Sequence, residues 1–276
     1  MNEKTIQWPR AKYWTHSFNP VVGCAKESEA CQNCYAEAVA RRFGMTDGRF
    51  TPVRKPSAKM PKTGVVFCGN MTDLFGNWID DEELEAWVRG MWQRFGNGGR
   101  RPAEPCAATY LWLTKRAARM ADFVARHGEL CANALWGMTA ESQLRYDGRI
   151  GDFRAAFPSG DCHGWLSAEP LLGPIDLQLG YVASEDIPFS WIVVGCESGP
   201  KRRPCKVEWV ESVVGQAVAR DIPVFVKQLD IDGRCETDIA KFPAHLRIRQ
   251  MPWEMRCWSR LEMAKWERAA GQAAGK

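Results

Sequence analysis

The sequence lacks the features of a membrane or secreted protein. It contains no run of about 18 or more apolar residues, the length that a membrane-spanning helix needs. Its first residues, MNEKTIQWPRAKYW, carry charges and a proline where a signal peptide has an apolar stretch. The 276 residues include 11 cysteines, an odd number scattered over a long chain, which does not suit a disulfide framework. We therefore expect a cytoplasmic protein with free thiols and no membrane partner.

A strong charge excess is also missing. Hydrophobic residues make up 45% of the chain and charged residues 25%, which are the values of a folded globular protein. The net charge of +4 permits contact with nucleic acid without requiring it. Basic residues are dispersed, apart from GGRRP at 98–102 and PKRRPCK at 200–206.

A second C-x-x-C pair is absent as well, although Cys24, Cys31 and Cys34 form the pattern C-x6-C-x2-C. Zinc ribbons use two such pairs, so a ribbon is excluded. Three alternatives remain: a zinc site completed by His16 or a distant cysteine, three unliganded core cysteines, or a [4Fe-4S] cluster. A cluster held by three thiolates leaves one iron open to another ligand, which suits an iron-sulfur enzyme.

Beyond residue 60, short apolar runs rich in β-formers alternate with helical patterns. Each helical stretch follows a run, as DDEELEAWVRGMWQRF follows the first, and this order predicts a mostly parallel sheet covered by helices. We expect one domain over residues 1–230 and an appendage over 231–276, a short β-segment followed by a C-terminal helix. The stretch 96–108 is predicted to be a surface loop. The predicted strands are GVVFCGN (64–70), TYLWLTK (109–115), LWGMTA (135–140), GWLSAE (164–169), WIVVGCE (191–197) and IPVFVKQ (222–228).

Almost every predicted strand ends in polar or ionisable side chains. In parallel α/β folds ligands bind at the carboxyl ends of the strands, so we expect these groups to converge on one face and form a site. They are Asn70, Asp73, Thr114, Lys115, Arg116, Thr139, Glu141, Ser167, Glu169, Glu197, Ser198, Lys227 and Gln228.

The motifs together resemble a family of phage-type, radical-SAM-like proteins long labelled as a domain of unknown function. The resemblance begins with FNPVVGC and CQNCYAE, where Phe18 replaces the usual tryptophan. It continues in order to about residue 229 through GNMTDLFG, LWLTKRAARM, WGMTAESQLRYDGRI, LSAEPLLGPIDL, WIVVGCESGP and VFVKQL. It implies a partial (β/α) TIM-like barrel of the radical SAM type, with a C-terminal appendage. The usual cysteine spacing in radical SAM enzymes is C-x3-C-x2-C, so the first interval here is longer.

The resemblance also implies cofactors and residue roles. Cys24, Cys31 and Cys34 would ligate a [4Fe-4S] cluster whose open iron binds S-adenosylmethionine (SAM). Catalytic roles fall to Lys115, Glu169 and Lys227, cations and an acid at strand ends. The remaining cysteines near strand ends, Cys68, Cys196 and Cys205, fit no cluster motif and are predicted to be core residues. The residues implied to bind SAM are Gly69, Asn70, Asp73, Thr139, Glu141, Ser167, Gly195 and Glu197.

The function implied by the resemblance is reductive cleavage of SAM to a 5′-deoxyadenosyl radical that abstracts a substrate hydrogen. The expected substrate is a hypermodified pyrimidine in phage DNA, carrying an amino-acid group that the enzyme rearranges, and an external donor supplies the electron. One alternative is a DNA lesion lyase of the photoproduct-repair type. The other is a zinc-stabilised nucleic-acid-binding module without catalysis.

Overall fold

The computed structural model describes residues 6–8, 10–92, 108–127, 134–157, 164–181, 183 and 186–252. The predicted surface loop at 96–108 and the predicted C-terminal helix lie almost entirely outside these ranges. None of the helices in the described part of the chain combines the length and apolar character that a membrane crossing needs.

The chain forms a mixed α/β fold around one eight-stranded sheet that curls into a half-barrel. Neighbouring strands are parallel except for one pair at the edge of the sheet, the β-hairpin of β10 (Val224–Ile231) and β11 (Arg234–Glu236). All six predicted strands are present, and residues on both faces of most of them are buried, as expected of parallel strands covered on two sides. In spatial order the sheet consists of β11 (Arg234–Glu236), β10 (Val224–Ile231), β9 (Trp191–Gly195), β8 (Gly164–Ala168), β7 (Ala134–Thr139), β6 (Ala108–Thr114), β5 (Gly64–Cys68) and β2 (His16–Phe18).

Helices connect the parallel strands and cover the convex face of the sheet. Asp80 precedes α2 (Asp81–Trp92) and accepts a hydrogen bond from the N–H of Glu83 at 2.7 Å. Acids fill the first turn of this helix, as a helix N-terminus favours. Strand residues such as Val66, Trp112 and Met138 point to this helical layer and form the larger core cluster. The helices are α1 (Tyr35–Arg42), α2 (Asp81–Trp92), α3 (Ala117–His127), α4 (Gln143–Ala156) and α5 (Val207–Val218).

The concave face is filled by the alternate strand residues and by the N-terminal segment. Trp8 and Tyr13 lie in this inner cluster with Phe67, Trp165 and Trp191. Gly137 leaves room for the tryptophans, since a Cβ there would lie 2.4 Å from the Trp165 ring. Two small sheets complete the fold, formed by β1 (Ile6–Gln7) with β12 (Gln250–Met251) and by β3 (Val21–Val22) with β4 (Val53–Arg54).

Candidate functional site

The three motif cysteines lie on a loop, residues 24–34, that covers the carboxyl edge of the sheet. We call it the cysteine loop. It begins after Gly23, whose φ of +105° and closeness to Thr51 require glycine, because a Cβ would lie 2.1 Å from the Thr51 carbonyl oxygen. The Cys24 N–H donates to the Phe50 oxygen at 2.9 Å. The loop then forms a 3-10 turn, Glu29–Asn33, and leads into α1.

Glu141, which follows β7, anchors the middle of the cysteine loop. Its carboxylate is fully buried and accepts hydrogen bonds from Ser28 Oγ, Lys115 Nζ and Arg149 Nη1, the last at 2.6 Å. Burial raises the pKa of Glu141, but Lys115 and Arg149 outweigh it and lower the pKa to about 2. Glu141 is therefore an anion at neutral pH, and its interactions fix the loop to the sheet.

Glu197, which follows β9, anchors the end of the loop. Its Oε2 accepts hydrogen bonds from Asn33 Nδ2 at 3.1 Å and from the backbone N–H of Arg203 at 2.7 Å. Burial raises the pKa of Glu197, but the hydrogen bonds from Arg203 and Asn33 outweigh it and the pKa falls below its usual value. Arg203 also donates to the Glu29 carbonyl oxygen at 2.9 Å, so both ends of the 3-10 turn are held from β9.

Two further ion pairs hold the loop from the sides of α3 and α4. Arg116 Nη2 lies 3.0 Å from Glu27, and Arg145 Nη2 lies 2.8 Å from Glu29. Residues that follow β6, β7 and β9 thus hold the same eleven-residue loop in one position.

The three thiols line one cavity of about 210 Å³ between the cysteine loop and the strand ends. Cys24, Cys31 and Cys34 are half-buried, and all seven cysteines in the described part of the chain are free. Cys31 Sγ accepts a hydrogen bond from the Glu27 N–H at 3.4 Å. Backbone N–H groups directed at sulfur are also one of the features by which proteins tune iron-sulfur clusters.

A single metal ion and an iron-sulfur cluster need differently arranged thiols. Thiolates on one zinc ion all lie about 2.3 Å from it, whereas the described residues contain no group of three His, Cys, Asp or Glu side chains gathered around one ion position. Cluster ligands bind separate irons and need not converge on one point. Burial raises the pKa of Cys24 to about 12 and also raises the pKa of Cys34, so both are thiols at neutral pH. Loading a metal group must therefore displace their protons.

Most of the strand-end residues predicted from the sequence line the same cavity. Three predicted residues do not line it. Glu141 is enclosed by its ion pairs, the Gln228 side chain donates to the Cys196 carbonyl oxygen at 2.6 Å, and Gly195 ends β9 with its oxygen accepting from the Leu171 N–H at 2.9 Å. The predicted site residues that line the cavity with the three cysteines are Gly69, Asn70, Asp73, Lys115, Thr139, Ser167, Glu169, Glu197 and Lys227.

Asn70 and Asp73 differ in how far their oxygens are already used. Asp73 accepts hydrogen bonds from Thr114 Oγ1 at 2.7 Å, from the Lys115 N–H at 3.1 Å and from Arg116 Nη1 at 2.9 Å. Asn70 Oδ1, in contrast, is buried and has no hydrogen-bond partner among the described residues. Because a buried carbonyl oxygen without a donor is costly, Asn70 is suited to accept from a ligand N–H group.

The opposite side of the cavity is aromatic and carries an ion pair. Trp14 and Phe67 line it, with ring centroids 5.1 Å apart, and Tyr13 joins them from the inner cluster. Lys227 Nζ pairs with Glu169 and lies 5.7 Å from the Trp14 ring centroid. This side therefore presents an apolar aromatic wall beside two opposite charges, both largely shielded from solvent.

Sequence reasoning missed several residues that shape the site. Tyr13 and Trp14 precede the cysteine motif and carry no recognisable pattern, and Arg149 looks like a surface residue of α4 although it is buried. Ser28 and Asn33 lie within the motif, where the short polar residues between the cysteines were a usable signal. The partners of Ser28 and Asn33 lie more than a hundred residues away in sequence, so the pairing itself was not readable.

Comparison with known proteins gives a family and no closer relative. Searches of the curated proteins and of the solved structures found no match. One family profile matches residues 5–243, a range that includes the cysteine loop, the curled sheet and all the cavity residues. On this match the chain belongs to the family described as "Protein of unknown function (DUF5131)".

Proposed function

We propose that this protein is a radical SAM enzyme. The observation that carries the proposal is the cavity itself, which the three motif thiols line together with Asn70, whose Oδ1 is a buried acceptor without a partner among the described residues. The fold of the proposed class is a partial barrel with its cofactors at the carboxyl edge, and the half-barrel with its cysteine loop agrees with that arrangement.

Cys24, Cys31 and Cys34 would hold a [4Fe-4S] cluster, leaving one iron for SAM. When bound, the two groups supply one-electron cleavage of the sulfonium and hydrogen-atom abstraction from a substrate. An external low-potential donor in the cytoplasm would provide the electron.

The protein's own groups would bind and orient SAM. Asn70 Oδ1 would accept a hydrogen bond from the ammonium of SAM, and the hydroxyls of Thr139 and Ser167, at the ends of β7 and β8, would bind the ribose. Gly69, whose φ is +77°, lets the chain turn tightly before Asn70 and pack against Leu74, since a Cβ there would lie 2.7 Å from the Leu74 side chain. Glu141 acts indirectly, by holding Ser28 and Lys115.

The aromatic side would take the substrate. Trp14 and Phe67 exclude water from the reacting hydrogen, and Lys227 with Glu169 orients polar groups of the substrate. We propose a modified pyrimidine in phage DNA as that substrate, which would enter the cavity as a flipped base, at a cost of roughly a few kcal/mol.

The test is anaerobic purification followed by iron, sulfide and zinc analysis, with EPR spectra of the reduced protein before and after SAM. We expect about four irons per chain and a spectrum that SAM changes. Cys31→Ala should lose the iron, whereas the matched variant Cys68→Ala, a buried core thiol, should keep it. One zinc per chain and no iron after reconstitution would reject the enzyme and favour a zinc-stabilised binding module.

A further inference from the structure

Positive charge is concentrated beside the cavity. Residues 35–62 contain seven Lys or Arg and two Asp or Glu, a net charge of +5, although the whole chain carries only +4. The rest of the chain is therefore close to neutral. This segment runs from α1 through β4 towards the start of β5 and packs against the cysteine loop, since Val22, Ala36, Ala40 and Phe50 form a cluster with Cys24 and Cys34.

The same segment exposes apolar side chains. Of the five large hydrophobic residues exposed in the described part of the chain, three belong to it: Tyr35 at 48%, Phe43 at 63% and Val53 at 37%. Tyr35 also lines the cavity and donates from its hydroxyl to the Asn70 carbonyl oxygen at 2.5 Å. The Arg42 guanidinium lies 5.4 Å from the Phe43 ring centroid. Tyr35 thus borders the cavity from the start of α1, and the Arg42–Phe43 pair lies at the other end of the same helix.

A groove of about 690 Å³ continues this surface between the segment 54–62 and α2. Lys55, Lys59 and Lys62 line it, and Phe18 and Trp87 provide an aromatic wall with centroids 6.1 Å apart. Its acid, Glu83, is neutralised by Arg54 at 2.5 Å. Among the described residues, no ion pair involves Lys59 or Lys62, so their charges are available to a ligand.

The groove and the cavity are bordered by neighbouring residues. The Phe18 ring lines the groove, and the Phe18 carbonyl oxygen accepts a hydrogen bond from Gly69, a cavity residue, at 2.8 Å.

We propose that the surface of residues 35–62, with the adjoining face of α2, binds a single-stranded stretch of nucleic acid next to the nucleotide in the cavity. Phosphates would contact Arg42, Lys59 and Lys62, and bases would stack on Tyr35 and Phe43. Basic grooves with exposed aromatics are the usual means of binding single strands, because every base has a face to stack. An acidic protein would use the cations and leave the rings unused. The inference rests on the proposed function only for the identity of the substrate.

The experiment measures fluorescence anisotropy of a labelled oligothymidylate with the full chain at several salt concentrations, without SAM. The triple variant Arg42→Gln/Lys59→Gln/Lys62→Gln should weaken binding. It should also lower the slope of log Kd against log salt concentration by about 2, at about 0.7 per phosphate contact. The matched control Lys206→Gln/Arg234→Gln/Lys241→Gln removes three exposed cations elsewhere and should leave the slope unchanged. Phe43→Ala should weaken binding roughly tenfold, and Leu144→Ala, an equally exposed control, should not.

Three results would overturn the inference: no binding by the native chain at low salt, equal losses in both triple variants, or equal competition by polyglutamate of matched charge. Because this assay needs neither cluster nor SAM, its failure is separate from failure of the radical chemistry. A cluster-loaded protein that cleaves SAM but binds no oligonucleotide would keep the enzyme and reject this surface.

Discussion

Some polar side chains of this cavity already use their hydrogen-bonding capacity within the protein, whereas others can still accept a hydrogen bond from a ligand. Asp73 accepts from three donors of the segment 114–116, whereas Asn70 Oδ1 has no partner in the described structure. Both follow the same strand, so sequence position alone cannot separate them. The hydrogen-bond count does, because only the Asn70 oxygen can still accept a hydrogen bond without losing one already made.

Replacing Asn70 by alanine should therefore weaken SAM binding without unfolding the protein. We expect the loss of one hydrogen bond to a charged ligand group to cost about 1.5 kcal/mol, or roughly tenfold in Kd. Calorimetric titration of the cluster-loaded protein with SAM measures it. Asn77→Ala, at an exposed position, is the control. Equal affinities for the native protein and Asn70→Ala would show that this oxygen does not contact SAM.

Glu141 illustrates a saturated side chain with a large effect on stability. Its pKa of about 2 lies below the ordinary 4.5 because Lys115 and Arg149 outweigh the effect of burial. A lowered carboxylate pKa stabilises the folded state above the unfolded pKa, and this stabilisation is lost as the pH falls through the folded pKa. For this buried group the shift corresponds to about 3 kcal/mol.

Glu141→Gln should accordingly lower the free energy of unfolding at pH 7 by about 3 kcal/mol, because the buried Arg149 and the half-buried Lys115 lose their counter-charge. The difference between native protein and variant should shrink as the pH falls from 4.5 towards 2. Urea denaturation at several pH values measures both the loss of stability at pH 7 and its dependence on pH. Glu236→Gln, which removes the acid of a surface pair with Lys241, should change stability much less, because solvent screens that pair. A constant difference across this pH range would contradict the argument.

Among the structural elements, β10 is shaped by a residue outside the sheet. Its register with β9 shifts between Val226 and Gln228, so Lys227 occupies a bulge, and the side chain reaches Glu169 in the cavity. The buried Arg249 guanidinium donates to the carbonyl oxygens of Val226 at 3.2 Å and Lys227 at 3.1 Å. Arg249 thus stabilises the bulge that directs Lys227.

Arg249→Met should cost about 3 kcal/mol of unfolding free energy, since buried carbonyl oxygens lose their donors. Arg249→Lys should recover only part of this, because a lysine keeps the charge but lacks the planar fork that reaches several oxygens. Arg247→Met, which removes a donor to the Phe242 oxygen, is the control from the same segment. Chemical denaturation compares them, and full recovery by lysine would show that the charge alone matters.

The secondary structure was largely predictable from the sequence, and the contacts between distant elements were not. GVVFCGN and WIVVGCE were recognisable as buried parallel strands, because β-formers fill both faces and polar residues follow. The bulge at Lys227 was not, because it depends on Arg249, which carries no local signal. For the same reason the convergence of the strand-end groups was predictable, whereas the enclosure of Glu141 away from the cavity was not.

At the scale of the whole molecule, the half-barrel is completed by the segment before the first sheet strand. A half-open sheet would leave its concave face wet, and here Trp8 and Tyr13 fill that face while β1 pairs with β12 from the far end of the described chain. The Tyr13 ring packs edge-on against Trp14, Trp165, Trp191 and Phe225, with centroid distances of 4.9 to 6.0 Å. One residue thus links the inner core to the aromatic wall of the cavity.

Tyr13→Ala should therefore lower the free energy of unfolding by about 4 kcal/mol, the usual cost of deleting a fully buried aromatic ring. Tyr13→Phe should stay within about 1 kcal/mol of the native protein, because the ring contacts are kept. Denaturation curves of the three proteins test the packing. Near-ultraviolet circular dichroism should change for alanine alone, since the surrounding tryptophans lose their fixed arrangement. If Tyr13→Ala were as stable as Tyr13→Phe, the N-terminal segment would not be part of the inner core, and the aromatic wall of the cavity would not depend on Tyr13.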